Sequence, residues 1–363
     1  MRGRLRAQLA LALVAAIASG CAGSSPSADK AGGSGGGTIV LRLAFTPGGI
    51  DQLPGVQDFV ARVAALSHGT IRIRTLAAWG SFESDAEVQV VHAVESGTVD
   101  LGATRSNVFD TLGVSSLEAL SAPMLIDSYP LENTVLRSAI PDRMLAGLKP
   151  LGVTGLAALG DELRVPISVR RPLLNPADWR GLTVGTYRSA IQKQAIRALG
   201  AAPLVVFGPF RTQALAAGKI QAFEQDVVGA ENNGLVGRAP WFAANVALWP
   251  EIDVLLVNPG RLAGLTGEQR AWLAQAASAA SKDSATLASN DGAYVREDCA
   301  AGARFVDATA SDLAAMRRSL AVVYQQLEAD PRTKSYIEEI QKLKRATSHG
   351  PVIRVPSGCA RKR

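Results

Sequence analysis

The chain has 363 residues, 47% hydrophobic and 19% charged, with a formal net charge of +6. No basic stripe interleaved with aromatics accompanies that charge, which argues against a nucleic-acid surface. Three histidines and three cysteines, with no CxxC, HExxH or paired-His spacing, leave a metal site unsupported. The body carries no Gly-x-Ser-x-Gly, P-loop or Gly-x-Gly-x-x-Gly, so ordinary catalytic equipment is missing and no cofactor is expected.

The first residues are MRGRLRAQLALALVAAIASGC. Arg2, Arg4 and Arg6 precede an apolar run from Leu9 to Ala18, about ten residues and too short to span a bilayer. Small residues stand directly before Cys21. Residues 1–20 thus have the pattern of a bacterial lipoprotein signal, cut before a cysteine that is then lipidated, although Ala18 replaces the usual larger aliphatic residue. A plain secretory peptide is the alternative. Two lipid chains on Cys21 would hold the protein stably on the outer side of the cell membrane. Residues 21–37 are Gly/Ser-rich, cannot bury a core and read as a flexible tether. In an exported chain the remaining Cys299 and Cys359 are expected to form a disulfide that pins the tail to the body; two free thiols are the alternative.

Beyond the tether, TIVLRLAF (Thr38 to Phe45) reads as a buried strand and VQDFVARVAALS as a helix with Val56, Phe59, Val60, Val63 and Leu66 at helical spacing. GTIRIRTLA alternates like a strand with one wet face. SDAEVQVVHAVESG reads as a helix capped by Ser84 and stopped at Gly97, and TVDLGAT as the next strand. This βαβαβ opening predicts a largely parallel sheet. Later come the strand GLTVGT, the helix SAIQKQAIRALG ending at Gly200, the strand APLVVF, and a short helix, a stop at Gly218 and a strand within FRTQALAAGKIQAFEQD. DVLLVNPGRL is a strand into a turn. The segment from Thr266 to Asp298 reads as one long alanine-rich helix. SDLAAMRRSLAVVYQQLEAD reads as the last amphipathic helix, with Leu313, Met316, Leu320, Val323, Tyr324 and Leu327 on one side.

Several segments in this order resemble the substrate-binding receptors of TRAP (tripartite ATP-independent periplasmic) transporters. They are SHGTIRIRTLAAWGSFES, VVHAVESGTVDLGAT, LSAPMLI, NPADWRGLTV, RALGAAPLVV, ALAAGKIQAFEQD and LVNPGRLAGLTGEQRAWLAQAA, together spanning roughly residues 38–340. The resemblance implies a periplasmic-binding-protein-like α/β fold: two α/β domains joined by crossing segments and a long bracing helix. The first domain would take residues 38–160 plus about 252–290, the second 161–251 plus about 291–340, and residues 341–363 would form the tail. It further implies capture of a small organic acid between the domains, hinge closure, delivery to the membrane subunits of a transporter, no enzymatic activity and a monomeric state. A ligand-sensing or scaffold lipoprotein of the same fold is the second reading.

In the resembled family an arginine after the strand GLTV holds the ligand carboxylate, because a planar guanidinium offers two parallel charge-assisted bonds. Here that place is taken by Gly185. Glycine there is expected to open space beside the pocket and to remove a fixed charge. Arg105, Arg164 and Arg188 are the candidate substitutes. Matching positions add Thr186 and Tyr187 at the strand end, and Glu224 and Gln225, of which Glu224 either binds ligand or holds the hinge. Trp79 and Phe82 are candidates for an apolar wall, Asn258 for a bond across the hinge, and Phe45 and Thr46 for a pocket loop after the first strand.

Overall fold

The computed structural model describes residues 37–359. The expected leader, Cys21 and the expected tether up to residue 36 lie outside the described residues. The strands are β1 (Ile39–Ala44), β2 (Ile71–Leu76), β3 (Leu101–Arg105), β4 (Thr154–Ser168), β5 (Thr183–Thr186), β6 (Ala202–Val205), β7 (Ala222–Gln225), β8 (Trp241–Ala243), β9 (Trp249–Val257) and β10 (Arg304–Val306). They form one sheet of order β2-β1-β3-β9-β4-β7-β5-β6, with β8 paired to β4 and β10 to β8.

Each flank of the sheet is parallel, as helix-connected strands require: β1 pairs with β2 and β3, and β5 with β6 and β7. The middle is antiparallel. β9 runs against β3 and β4, and β4 runs against β7, so β4 belongs to both flanks. Both central strands are buried along nearly their whole length, as strands covered on both faces must be.

The ladder between β4 and β9 slips at one functionally placed point. Gly160 pairs with Ile252 and Leu163 with Pro250, which leaves Asp161 and Glu162 opposite Glu251 alone. Two residues against one is a bulge, and it interrupts the alternation that would send neighbouring side chains to opposite faces. The main chain next to it is satisfied from outside the sheet. The Gly160 N–H donates to Ser284 Oγ at 2.8 Å, and Ser281 Oγ donates to the Ala158 carbonyl at 2.7 Å.

Those serines lie on the helix Gly267–Ala288, opened by a capping box between Thr266 and Gln269. The helix packs on Pro54–Leu66, Tyr129–Leu136 and β4. It is shorter than the composition predicts: a new helix, Gly292–Ala300, follows after Ser289-Asn290-Asp291. Asn, Asp and Gly in succession favour turn geometry over a continued helix. Two further expectations are corrected. Ser84 does not cap the helix Ala86–Glu95; Asp85 holds that position and makes no side-chain cap bond. The helix Ala310–Leu327 is not the last, because Pro331–Ala346 follows, opened by Asp330 whose carboxylate accepts from the Arg332 and Thr333 N–H groups. Its apolar side, Tyr336, Ile337 and Ile340, is buried against segments near Ser115–Ser121 and Tyr129–Leu136, so the expected tail from residue 341 begins as helix.

The sulfurs of Cys299 and Cys359 are joined, with Cα atoms 5.7 Å apart. Val352 and Ile353 of the tail are buried in the same apolar cluster as Phe223, Phe242 and Phe305. Among the described residues no helix is long and apolar enough to cross a membrane.

Candidate functional site

A cleft of about 160 Å³ opens where the two flanks of the sheet meet. Its walls come from segments far apart in sequence: Thr46 after β1, Arg105 at the end of β3, Asp161 and Glu162 in the bulge of β4, Tyr187 after β5, Arg211 on the helix Gly208–Ala216, and Gln225 at the end of β7. Strand ends of an open α/β sheet are where a ligand finds unoccupied main chain and side chains.

At the floor, three arginines surround one aromatic ring. The guanidinium carbons of Arg164, Arg105 and Arg211 lie 5.0, 5.3 and 5.4 Å from the centre of the Tyr187 ring. The ring also stacks on Phe207 at 5.3 Å. A π-face attracts cations, and three of them act on its hydroxyl. Burial alone would raise the Tyr187 pKa; the charges of Arg164, Arg105 and Arg211 outweigh burial and lower it from the usual phenol value.

The three arginines differ in how fully they are engaged. Arg164, 1% exposed, donates from Nε to Glu224 Oε2 at 2.7 Å and from Nη1 to Asp226 Oδ2 at 2.9 Å and to Glu251. Its Nη2 donates to the Glu224 carbonyl at 2.9 Å and to Gln225 Oε1 at 3.1 Å. Such a charge is tolerable in the interior only because every donor is matched. Arg105 pairs with Glu251 and, at 3.6 Å, with Glu87. Arg211 donates from Nη1 to Gln225, but its buried Nε and Nη2 have no hydrogen-bond partner.

The carboxyls sort in the same way. Glu224, Asp226 and Glu251 are held by Arg164. Asp161 and Glu162 have no ion pair to any cation, and Asp161 Oδ1 is buried without a partner. Burial pushes the Asp161 carboxyl up against the opposing pull of Glu162 hydrogen bonding and Arg105. Burial and the neighbouring Asp161 and Asp226 charges hold Glu162 well above the carboxylate range. Asp253 nearby is pushed up to about 7 by burial and by Asp161.

Of the residues singled out from sequence, Arg105, Tyr187, Gln225, Phe82 and Thr46 line the cleft. Arg164 and Glu224 lie directly behind it as a buried pair, and Thr186 Oγ1 donates to Glu224 Oε1 at 3.3 Å. The others lie elsewhere. Arg188 is exposed, with its carbonyl accepting from Thr111 Oγ1 at 2.8 Å. Asn258 caps the short helix Pro259–Ala263 and donates to the Val94 and Glu95 carbonyls. Phe45 is core, and Trp79 is half-buried against the main apolar cluster.

Gly185 does not border open space. A Cβ placed there would lie 3.0 Å from Ile220 Cδ1, 3.2 Å from Val206 Cγ2 and 3.4 Å from Phe223 Cβ. The side of the strand on which an arginine was expected is apolar and filled.

Sequence reading missed Arg211, Asp161, Glu162 and Glu251. The available signal was acidic residues inside otherwise apolar strand runs, in TGLAALGDELRVPIS and WPEIDVLLV, because burying a carboxylate there is costly.

A sequence profile of the bacterial extracellular solute-binding proteins, family 7, matches residues 50–330. The chain belongs to this family. A curated relative, the C4-dicarboxylate-binding periplasmic protein DctP of Rhodobacter capsulatus, is 28% identical over 134 residues, 37% of this chain and 40% of that protein. The match therefore spans less than half of the relative's length. Two solved structures share the fold. A TRAP periplasmic solute-binding protein of Roseobacter denitrificans with bound β-D-glucuronate is 22% identical, with TM-score 0.74, covering 85% of this chain and 100% of that one. Another, of Polaromonas sp. JS666 bound to D-erythronate, is 18% identical, with TM-score 0.75, covering 86% and 100%. The family is one of solute receptors, and the cleft lies at the strand ends of its shared fold.

Proposed function

We propose that this protein is the extracytoplasmic receptor of a TRAP-type transporter, capturing a small organic acid in the cleft without covalent chemistry and handing it to membrane subunits. One observation carries the reading: Arg211, 3% exposed, keeps two unpartnered guanidinium nitrogens at a cleft whose other arginines are internally paired. A carboxylate is the group whose geometry and charge match such a fork. The family membership and the acids bound by the two similar structures support it.

In this reading the lobes 38–160 with about 252–290 and 161–251 with about 291–340 close on the ligand, with β4 and β9 as the crossing segments. Cys21 carries the lipid anchor, Cys299 and Cys359 are bridged in the exported protein, and the receptor works as a monomer.

Titration calorimetry of the soluble body against a panel of mono- and dicarboxylates, sugar acids, aromatic acids and amino acids tests the proposal. At least one acid should bind at one site per chain with micromolar or tighter affinity, about −8 kcal/mol or better. Binding of neutral or purely cationic solutes with no acid among the ligands would overturn it.

A further inference from the structure

Once the internal pairings of the cleft are made, two features are left over, and they have opposite charge character. One is Arg211, whose Nε and Nη2 make no hydrogen bond. The other is the Asp161–Glu162 pair, which the bulge in β4 brings together on the cleft wall and which no arginine or lysine contacts as an ion pair. Asp161 is 2% exposed and its Oδ1 is unpartnered. Unsatisfied buried polar atoms cost free energy, so both ends are prepared for something the free protein does not supply.

We propose that the ligand is a compact zwitterion, an amino-acid-like molecule whose carboxylate is taken by Arg211 and whose protonated amine is taken by Asp161 and Glu162. The proposal rests on the receptor reading above and specifies its substrate class. Two observations separate it from a simple anion site, and a third fixes which end takes the carboxylate.

First, the cleft wall is not cationic. Arg105 and Arg211 line it alongside Asp161, Glu162, Asp226 and Glu251. A dianion brought there would meet more carboxyls than guanidiniums. A molecule that carries its own ammonium offers those carboxyls a partner that a dianion lacks.

Second, the acid pair meets no cation as an ion pair, and Asp161 Oδ1 is left without a hydrogen-bond partner. Burial pushes both carboxyls up; an ammonium beside them, with N–H donors and a positive charge, acts in the opposite direction. The faces of Tyr187 already meet Arg164, Arg105 and Arg211, so a quaternary ammonium seeking an aromatic cage would find this ring occupied. Among the described residues no group of three or more His, Cys, Asp or Glu side chains is placed to hold a metal ion.

Third, the basic end is preset for an anion. Arg211 lies in the first turn of the helix Gly208–Ala216, and Gly208 and Pro209 of that turn line the cleft. The positive end of the helix dipole adds to the guanidinium there.

The test is calorimetry of the soluble body with matched pairs: each of the twenty common amino acids and 4-aminobutyrate, each against its hydroxy-acid counterpart, with D-glucuronate and D-erythronate included. At least one amino acid should bind more than about tenfold tighter than its hydroxy acid, as loss of one buried charge pair implies. Asp161→Asn combined with Glu162→Gln should reduce that preference to about onefold, while Arg211→Gln should weaken amino acid and hydroxy acid alike and Arg211→Lys should restore part of the loss. Near-native circular dichroism and unchanged unfolding midpoints in the variants secure the comparison. Tight binding of nitrogen-free acids with amino acids no better would overturn the zwitterion and leave the receptor reading standing. Failure of every carboxylate, with or without an amine, would overturn both.

Discussion

Arg164 lies 5.0 Å from the centre of the Tyr187 ring while its guanidinium nitrogens reach Glu224, Asp226 and Glu251. One buried cation therefore holds three carboxyls from β7, the residue after it, and β9. Replacing it by methionine keeps the apolar stem but leaves Glu224 and Asp226 without their counter-ion and Glu251 with Arg105 alone. Arg164→Met should lose about 3–5 kcal/mol of stability, the cost of breaking a buried pair from one side. Urea unfolding followed by circular dichroism measures it; a loss below about 1 kcal/mol would show that the cluster is solvated or already neutral.

Restoring the family arginine at the strand end should not restore a binding group. Gly185→Arg would push a side chain against Ile220, Val206 and Phe223. Overpacking of this kind costs about 1–3 kcal/mol. The variant should melt at lower temperature and bind carboxylates no better than the parent, both read in one thermal-shift series with and without ligand.

Asp253 should contribute a pH dependence of stability opposite in sign to that of an ion-paired carboxylate. Burial pushes its carboxyl up to about 7, whereas an aspartate in an unfolded chain titrates near about 3.9. Between those values the folded state keeps a proton that the unfolded state has lost, so this group's contribution falls as pH rises through the window and is level above it. Asp253→Asn mimics the protonated form at every pH. It should match the parent near pH 4 and gain on it by a few kcal/mol toward pH 8, on the order expected from a shift of this size. Urea midpoints at unit pH steps supply the comparison, and a difference that stays constant with pH would contradict it.

The cysteine pair closes a loop of sequence separation 60. Chain entropy makes such a closure worth about 4 kcal/mol, with about 2–4 more usual in practice. Cys359→Ser should lower the unfolding midpoint accordingly and speed tryptic cleavage at the exposed Arg354, since the segment holding Val352 and Ile353 would lose its covalent tie to the core. Equal digestion of the parent and the variant would mean that the apolar contacts alone hold the tail.

Local pattern carried much of the fold and less of the site. Strand ends at Thr46, Arg105, Tyr187 and Gln225 were readable because alternating strands and helices place them without knowledge of their partners. Arg188 and Asn258 were misplaced because sequence adjacency to a strand end does not say which way a loop turns. Arg211 was hidden inside a helix whose stripe pointed only to packing. The acids of β4 and β9 were the hardest to see. In GDELR and WPEID they interrupt an apolar run and mimic a loop; Glu251 is paired by Arg105 and Arg164 from neighbouring strands, whereas Asp161 and Glu162 meet only groups brought to the cleft by other segments. That information is non-local, and no window along the chain contains it. Gly185 was readable as a departure, but the neighbours that fill its surroundings come from β7 and from residues beyond β6.

The bulge in β4 has an evolutionary consequence. Asp161 and Glu162 share the cleft wall because one extra residue stands between Gly160 and Leu163. Only these two residues stand there, so deleting either would restore two-residue alternation and take one carboxyl out of the wall. A receptor of this architecture can thus change the charge of its binding wall through a one-codon deletion or insertion, with every remaining side chain unaltered. Descendants related in that way would differ in ligand preference while a comparison of substitutions alone found nothing to explain it.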